Sequence, residues 1–140
     1  MAGFDINKKL ERDTILIQSL SLSDILLHRN SFFPWFIMLP RRNGVKEIID
    51  LSKDDQLILL EEIDVLSRFV KNNFLCHKLN VANIGNIVAQ LHIHVIARHD
   101  QDEAWPNPVW GISGSRAYDK KEVEKIKSDF RDFVAGDGFA

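Results

Sequence analysis

The chain has 140 residues, enough for one domain with a sizeable core. Its 45% hydrophobic and 27% charged content is ordinary for a soluble globular protein, and a net charge of −2 excludes a general polyanion-binding field, so no nucleic-acid polymer is expected as a partner. The longest apolar stretch, residues 32–39, is far too short to span a bilayer, and residues 1–10 contain no apolar signal core, so a cytoplasmic protein with no membrane partner is expected.

Taken in chain order, Phe4, Ile6, Leu10 and Leu16 begin an apolar pattern, with a short helix before Asp13. Residues 14–19 read as a β-branched strand, and residues 33–39 as a second, buried strand that Pro40 ends. Arg41-Arg42-Asn43-Gly44 is a turn, with the two arginines solvated beside it. Ser52 opens the clearest helix, and Asp55 three residues on approximates a capping box. Leu59, Ile63, Leu66 and Val70 form its buried stripe, Glu61, Glu62 and Arg68 take the wet side, and Asn72-Asn73 marks its end. The single Cys76 can form no internal disulfide and reads as a small packed residue. A third strand over residues 77–81 leads to a turn at residues 83–85, and a fourth covers residues 90–98, with Arg98 running into solvent. Asp119 and Glu122 make a second capping pattern, and Val123, Ile126, Phe130 and Phe133 give a last helix, about 119–134, its stripe. Gly136-Asp137-Gly138 reads as a frayed tail.

Strands interrupted by one long helix, without regular alternation, predict an α+β fold with a mainly antiparallel sheet in a single domain, residues 1–140. Residues 99–118 show no periodicity. They carry Trp105-Pro106-Asn107-Pro108-Val109-Trp110, a stiff apolar loop expected to pack on the body or on a partner chain. Trp35 reads as core.

The richest local signal is Gln90-Leu91-His92-Ile93-His94-Val95-Ile96. Polar and aliphatic residues alternate, so a strand would put Gln90, His92 and His94 on one face and Leu91, Ile93 and Val95 in a core. A turn could bring Gly85 and Asn86 close. Neutral imidazole is a good nucleophile near pH 7 because its ordinary pKa lies there.

At these residues the chain resembles the histidine triad superfamily of nucleotide hydrolases and transferases. The motif is three histidines alternating with hydrophobic residues; Gln90 stands in the first histidine's place, and the other six positions fit. Gly85-Asn86 leading into the triad strand, Asn80, and a hydrophobic strand ending in Pro-Arg before a long amphipathic helix are similar to the family over about residues 10–100. The resemblance implies a HIT-like fold in which a small sheet carries the long helix, often doubled by dimerisation, so a homodimer is expected. It implies cleavage of a nucleotide phosphoanhydride or phosphoramidate through a covalent nucleotidyl-histidine, with no cofactor required. By the same resemblance His92 is the nucleophile, held by a backbone carbonyl of the triad strand, and His94 donates to a phosphate oxygen. Gln90 keeps hydrogen bonds to phosphate or leaving group while losing any acid–base role. Asn86 and Asn80 contact phosphate or ribose, and Gly85 lets backbone approach the phosphate. Asn30, with His28 as the alternative, is the candidate for the ribose hydroxyls.

Rival readings stay open at this point. His92 and His94 could ligate a metal with help from His77, His99 or Asp100, although no standard spacing predicts it. The chain could bind a nucleotide with little turnover, or could be an interaction module using its Trp-rich loop. Trp105 and Trp110 could stack on a base, but packing on the body or on a partner is the commoner use of such residues.

Overall fold

The computed structural model describes residues 3–136, so Asp137 and Gly138 of the expected tail lie outside the described residues. The elements run α1 (Lys8–Asp13), β1 (Thr14–Ser19), β2 (Ser23–His28), β3 (Trp35–Pro40), α2 (Lys53–Asn73), β4 (Lys78–Ala82), β5 (Ile93–Arg98) and α3 (Lys120–Gly136). A short 3-10 turn at Ile48–Asp50 precedes α2. The five strands form one sheet in the order β1-β2-β3-β5-β4, and every pairing is antiparallel. The α+β expectation holds.

One strand is additional to those expected. Residues 23–28 carry Asp24-Ile25-Leu26-Leu27-His28, whose three consecutive aliphatics lack a period-2 signature because both faces of β2 are covered. β2 pairs with β1 and β3 and fills the middle of that half of the sheet.

Strand register sorts the side chains. Ile25, Leu27, Phe36, Met38, Ile93, Val95 and Ala97 face α2 and α3 in the larger core. Leu26, Trp35, Ile37 and Ile96 face the other way, into a smaller cluster with Leu10, Phe33, Val88 and Val109. Helices α2 and α3 therefore cover one face, while α1, the segment before it and the 99–118 loop partly cover the other. The candidate site lies on that second face.

The capping signals hold with one difference. The Asp119 and Glu122 side chains each accept from the other's backbone N–H, at 2.8 and 3.0 Å, a reciprocal box. At α2 the Ser52 hydroxyl accepts from Asp55 N–H, but the Asp55 carboxylate is taken by Arg42, at 2.7 and 3.1 Å. Arg41 pairs with Asp24 at 2.8 Å and donates to the Leu20 and Ser21 carbonyls. Both arginines thus hold the turn to its neighbours instead of standing free in water.

Two charged residues expected at the surface are buried. Glu62, assigned to the wet side of α2, is fully buried and accepts from Leu22 N–H at 2.9 Å. Burial raises its pKa, outweighing the hydrogen bonds from Leu22 and Ser23. The β1–β2 turn lies over α2 here, and its N–H groups need an acceptor. Arg98, expected to run into solvent, is 1% exposed and pairs with Asp102 through two bonds of 2.7 and 3.0 Å. Its guanidinium also donates to the Asn80 side chain and to the Asn107 carbonyl, and lies over Phe33 and Trp105. Asp102 further accepts from the N–H groups of His99, Ala104 and Trp105. One buried ion pair therefore folds the irregular loop onto the body.

Candidate active site

A cleft of about 390 Å³ opens on the face opposite α2 and α3. His92 and His94 line its floor together with His28, Trp35 and Ile37. Gly85, Asn86, Ile84, Ile87 and Val88 from the loop after β4 form one wall. Lys9, Leu10 and Asp13 of α1 line it as well, and Trp110 joins from the 99–118 loop.

Each imidazole is fixed by a partner that defines its tautomer. His92 Nδ1 lies 2.7 Å from the Gln90 carbonyl oxygen. A carbonyl can only accept, so Nδ1 carries the proton and Nε2 keeps its lone pair. His94 Nδ1 accepts from the Trp35 indole N–H at 2.9 Å. An indole can only donate, so the His94 proton sits on Nε2. His28 Nδ1 accepts from Asn30 N–H at 3.1 Å, which likewise places its proton on Nε2. The site thus offers one lone pair and two N–H donors.

Burial enforces these states. His94 is 5% exposed, and burial, then the neighbouring His92 and His28 rings, push its pKa down to about 3. Burial also lowers the His28 pKa, against the pull of Asp13. Protonating either ring would put a second proton on Nδ1, facing a donor. Both are held neutral by burial and by the donor that each Nδ1 faces, and each keeps its Nε2–H free to donate.

The rings form a stack. His28 lies on Trp35 at 4.0 Å with an interplanar angle of 8°. His94 meets His92 and Trp110 edge-on, with centroids 5.0 Å apart in both cases. Trp35, expected as plain core, is therefore both core and positioning residue. Its indole N–H pointing at a histidine on the neighbouring strand β5 has no local sequence signal, because the pairing of Ile37 with His94 is a tertiary fact.

The expected site residues divide. His92, His94, Gly85 and Asn86 are brought together, as is His28. Gly85 adopts φ +69°, a left-handed conformation that suits glycine. Gln90 is not on the strand, which begins at Ile93. The expected sharing of a face with His92 and His94 is corrected: the Gln90 side chain bonds Asn7 N–H and the Asp5 carbonyl, away from the cleft lining. Asn80 does not line the histidine cleft; its carbonyl accepts from Arg98 at 2.8 Å, and it lines a shallower hollow along β4. The Asn30 side-chain oxygen is spent on the N–H groups of Phe32 and Arg116, where an isolated bridge joins Asn30 to Ala117. Lys9, Leu10 and Asp13 were not anticipated, since nothing local says that α1 folds over a strand 80 residues away. Trp110 stands half-exposed at the cleft, while Trp105 packs beside Arg98.

Among the described residues no three His, Cys, Asp or Glu side chains gather in a way that could hold a metal ion. His77 and His99, offered as further ligands, lie beside each other with centroids 6.2 Å apart and are not cleft residues. Among the described residues no helix is long and apolar enough to cross a membrane.

The family model of the HIT domain matches residues 9–101. Three solved structures are similar over nearly the whole chain. A histidine triad protein from Bradyrhizobium japonicum is 41% identical with a TM-score of 0.91, covering 95% of this chain and 99% of that one. A histidine triad (HIT) protein from Sinorhizobium meliloti 1021 is 35% identical with a TM-score of 0.89, covering 92% and 96%. A histidine triad protein from Marinobacter aquaeolei VT8 is 35% identical with a TM-score of 0.90, covering 96% and 98%. No curated protein matches.

Proposed function

The chain belongs to the HIT domain family, and from that premise we propose that it is a nucleotide hydrolase or transferase working through a covalent nucleotidyl-His92. Family membership points to nucleotide binding or to hydrolase or transferase chemistry. The finer reading is cleavage of a phosphoanhydride or phosphoramidate, as in dinucleoside polyphosphates or nucleoside phosphoramidates.

The observation that carries it is the 2.7 Å contact between His92 Nδ1 and the Gln90 carbonyl. It leaves the Nε2 lone pair on a ring that lines an apolar cleft. Nε2 attacks the nucleotide phosphorus, a P–N bond forms, and the bond to the leaving group breaks with its electron pair going to that group. Water then attacks phosphorus, the P–N bond breaks, and its pair returns to Nε2 while the water's proton passes to solvent. His94 and His28, each with an Nε2–H, donate to the phosphate oxygens as charge builds. Asn86 and Lys9 stand at the rim for the phosphate or its leaving group. Neutral His28 and His94 supply no proton to the leaving group, so groups stable as anions are cleaved fastest. No cofactor enters these steps.

The test is incubation with a nucleoside phosphorimidazolide and intact-mass analysis, wild type beside His92→Ala. A nucleotidyl adduct on the wild type and none on the variant supports the reading. Nucleotide binding without adduct or product supports the second reading, a binding protein of little turnover, which the lack of a protonated acid on the cleft floor favours.

A homodimer is proposed as well. β4 is an edge strand with one unpaired side, and Val81 on it is exposed. A single 16.1 kDa species in sedimentation at micromolar concentration would refute the dimer.

A further inference from the structure

Gln90 occupies the position where the motif has its first histidine, yet its side chain is engaged elsewhere. Its Oε1 accepts from Asn7 N–H at 2.7 Å, and its Nε2 donates to the Asp5 carbonyl at 2.8 Å. These two groups lie two residues apart on the segment that leads into α1. The amide thus closes the same two-bond ring that a neighbouring strand would close. Asn43 repeats the device upstream, donating to the Gly3 carbonyl at 3.0 Å and accepting from Asp5 N–H at 3.4 Å. Residues 3–7 are a strap held by two side-chain amides.

The strap leads directly into the cleft wall. Asn7 caps α1, accepting from Lys9 N–H at 2.8 Å. Lys9, Leu10 and Asp13 of α1 line the cleft, and Lys9 is fixed to Asp13 at 2.7 Å. Leu10, 5% exposed, seats α1 in the smaller core. Meanwhile the backbone carbonyl of the same Gln90 holds His92 Nδ1–H. One residue therefore grips the wall with its side chain and orients the nucleophile with its main chain.

We infer that Gln90 is a positioning residue: its amide clamps the N-terminal strap, so that α1 closes the nucleotide cleft in fixed register with His92. Chemistry explains the residue type. A side-chain amide accepts and donates side by side, whereas a carboxylate cannot donate and the two ring nitrogens of an imidazole diverge. The strap crosses more than 80 residues of sequence to reach its clamp, so losing the clamp frees it without touching the sheet. The steady-state readouts below rest on the proposed phosphate chemistry; the exchange and binding readouts do not.

The experiment compares wild type, Gln90→Glu, Gln90→His and Asn43→Ala. Amide hydrogen exchange is followed at residues 5–13, adenosine monophosphate binding by calorimetry, and KM and kcat with a nucleoside phosphoramidate. Gln90→Glu keeps the shape but sets a carboxylate against the Asp5 carbonyl. The donation to Asp5 is lost, and repulsion between the carboxylate and the Asp5 carbonyl pushes the side chain off the strap, which is expected to speed exchange at Asn7 about tenfold and to raise the monophosphate Kd and the KM by a similar factor. The kcat should change less than about threefold, since the main-chain carbonyl that fixes His92 remains. Asn43→Ala, remote from the cleft, should move exchange and Kd the same way but less. Gln90→His should not speed turnover. Three results would overturn the inference: strap exchange unchanged in Gln90→Glu, a fall in kcat at constant KM, or faster turnover in Gln90→His. The last two would mean that the side chain reaches the reacting groups. If no variant and no wild type turns over, faster exchange with weaker monophosphate binding still supports the clamp, and only the proposed reaction fails.

Discussion

Trp35→Phe tests the tautomer lock at the cleft floor. The substitution keeps an aromatic ring under His28 but removes the indole N–H that donates to His94 Nδ1, a bond of 2.9 Å in a nearly closed environment. A buried acceptor left without its donor costs about 1–3 kcal/mol. Taking about 2 kcal/mol, and about 1.4 kcal/mol per factor of ten, kcat/KM should fall about 30-fold if the His94 Nε2–H bond to phosphate depends on that lock. The loss should appear in kcat, because the donation matters most when charge builds on the phosphate oxygens. The His94 pKa should rise from about 3, since the freed Nδ1 can now take a proton. Nitrogen-15 NMR of the imidazoles reads the tautomer directly, and steady-state kinetics reads the rate. Should the variant show His94 with an unchanged tautomer and titration, the reasoning fails: burial alone would be setting its state, and Trp35 would be only core.

Asp102→Ala should destabilise the fold by about 3–5 kcal/mol in urea titration, because Arg98 is left buried without its carboxylate. The same variant should loosen the 99–118 loop, seen as lost protection at Ala104 and Trp105, whose N–H groups Asp102 accepts. Acid should unfold the protein in two overlapping stages. The folded His94 value, about 3, lies below the unfolded 6.5, so the unfolded chain binds the extra proton. The associated stability is complete above pH 6.5 and is lost at up to about 1.4 kcal/mol per unit as pH falls toward 3. Burial pushes the Asp102 carboxyl up, but Arg98 and the loop N–H groups hold it down to about 2, so its contribution is present above 3.8 and is lost as pH falls through about 2. Denaturant midpoints measured from pH 7 to 2.5 would show a flat acid limb if neither group is involved, and Trp35→Phe should flatten the upper stage. Turnover should survive exhaustive EDTA treatment; a loss restored by added divalent metal would overturn the metal-free pathway.

Local pattern carried most of the architecture. The apolar spacing of Leu59, Leu66 and Val70 and of Val123, Ile126 and Phe130 marks two helices with one buried face each, and Ser52 and Asp119 mark their starts. Alternation around His92 and His94 points to a strand carrying imidazoles; β5 carries His94, His92 stands just before its start, and the motif identifies the family. These features are legible because caps and periodicities act within a few residues. β2 escaped that reading, since a strand covered on both faces has no alternation to display. Glu62 and Arg98 were misplaced because charge predicts exposure only until the fold supplies partners, and those came from Leu22, 40 residues away, and from Asp102 and Asn107 in a loop whose path no periodicity reveals.

The chemistry of the cleft was decided by the tertiary structure. Sequence puts histidines on an element, but their protonation follows from what each Nδ1 meets: the Gln90 carbonyl, the Trp35 indole or the Asn30 amide. The indole reaches its histidine only through pairing across the sheet. The same holds for Gln90, whose side chain was expected among the phosphate contacts and is instead drawn to a strap more than 80 residues upstream. A residue type fixes which hydrogen bonds are available; the fold, by bringing donors and acceptors from distant segments into reach, fixes which of them are made.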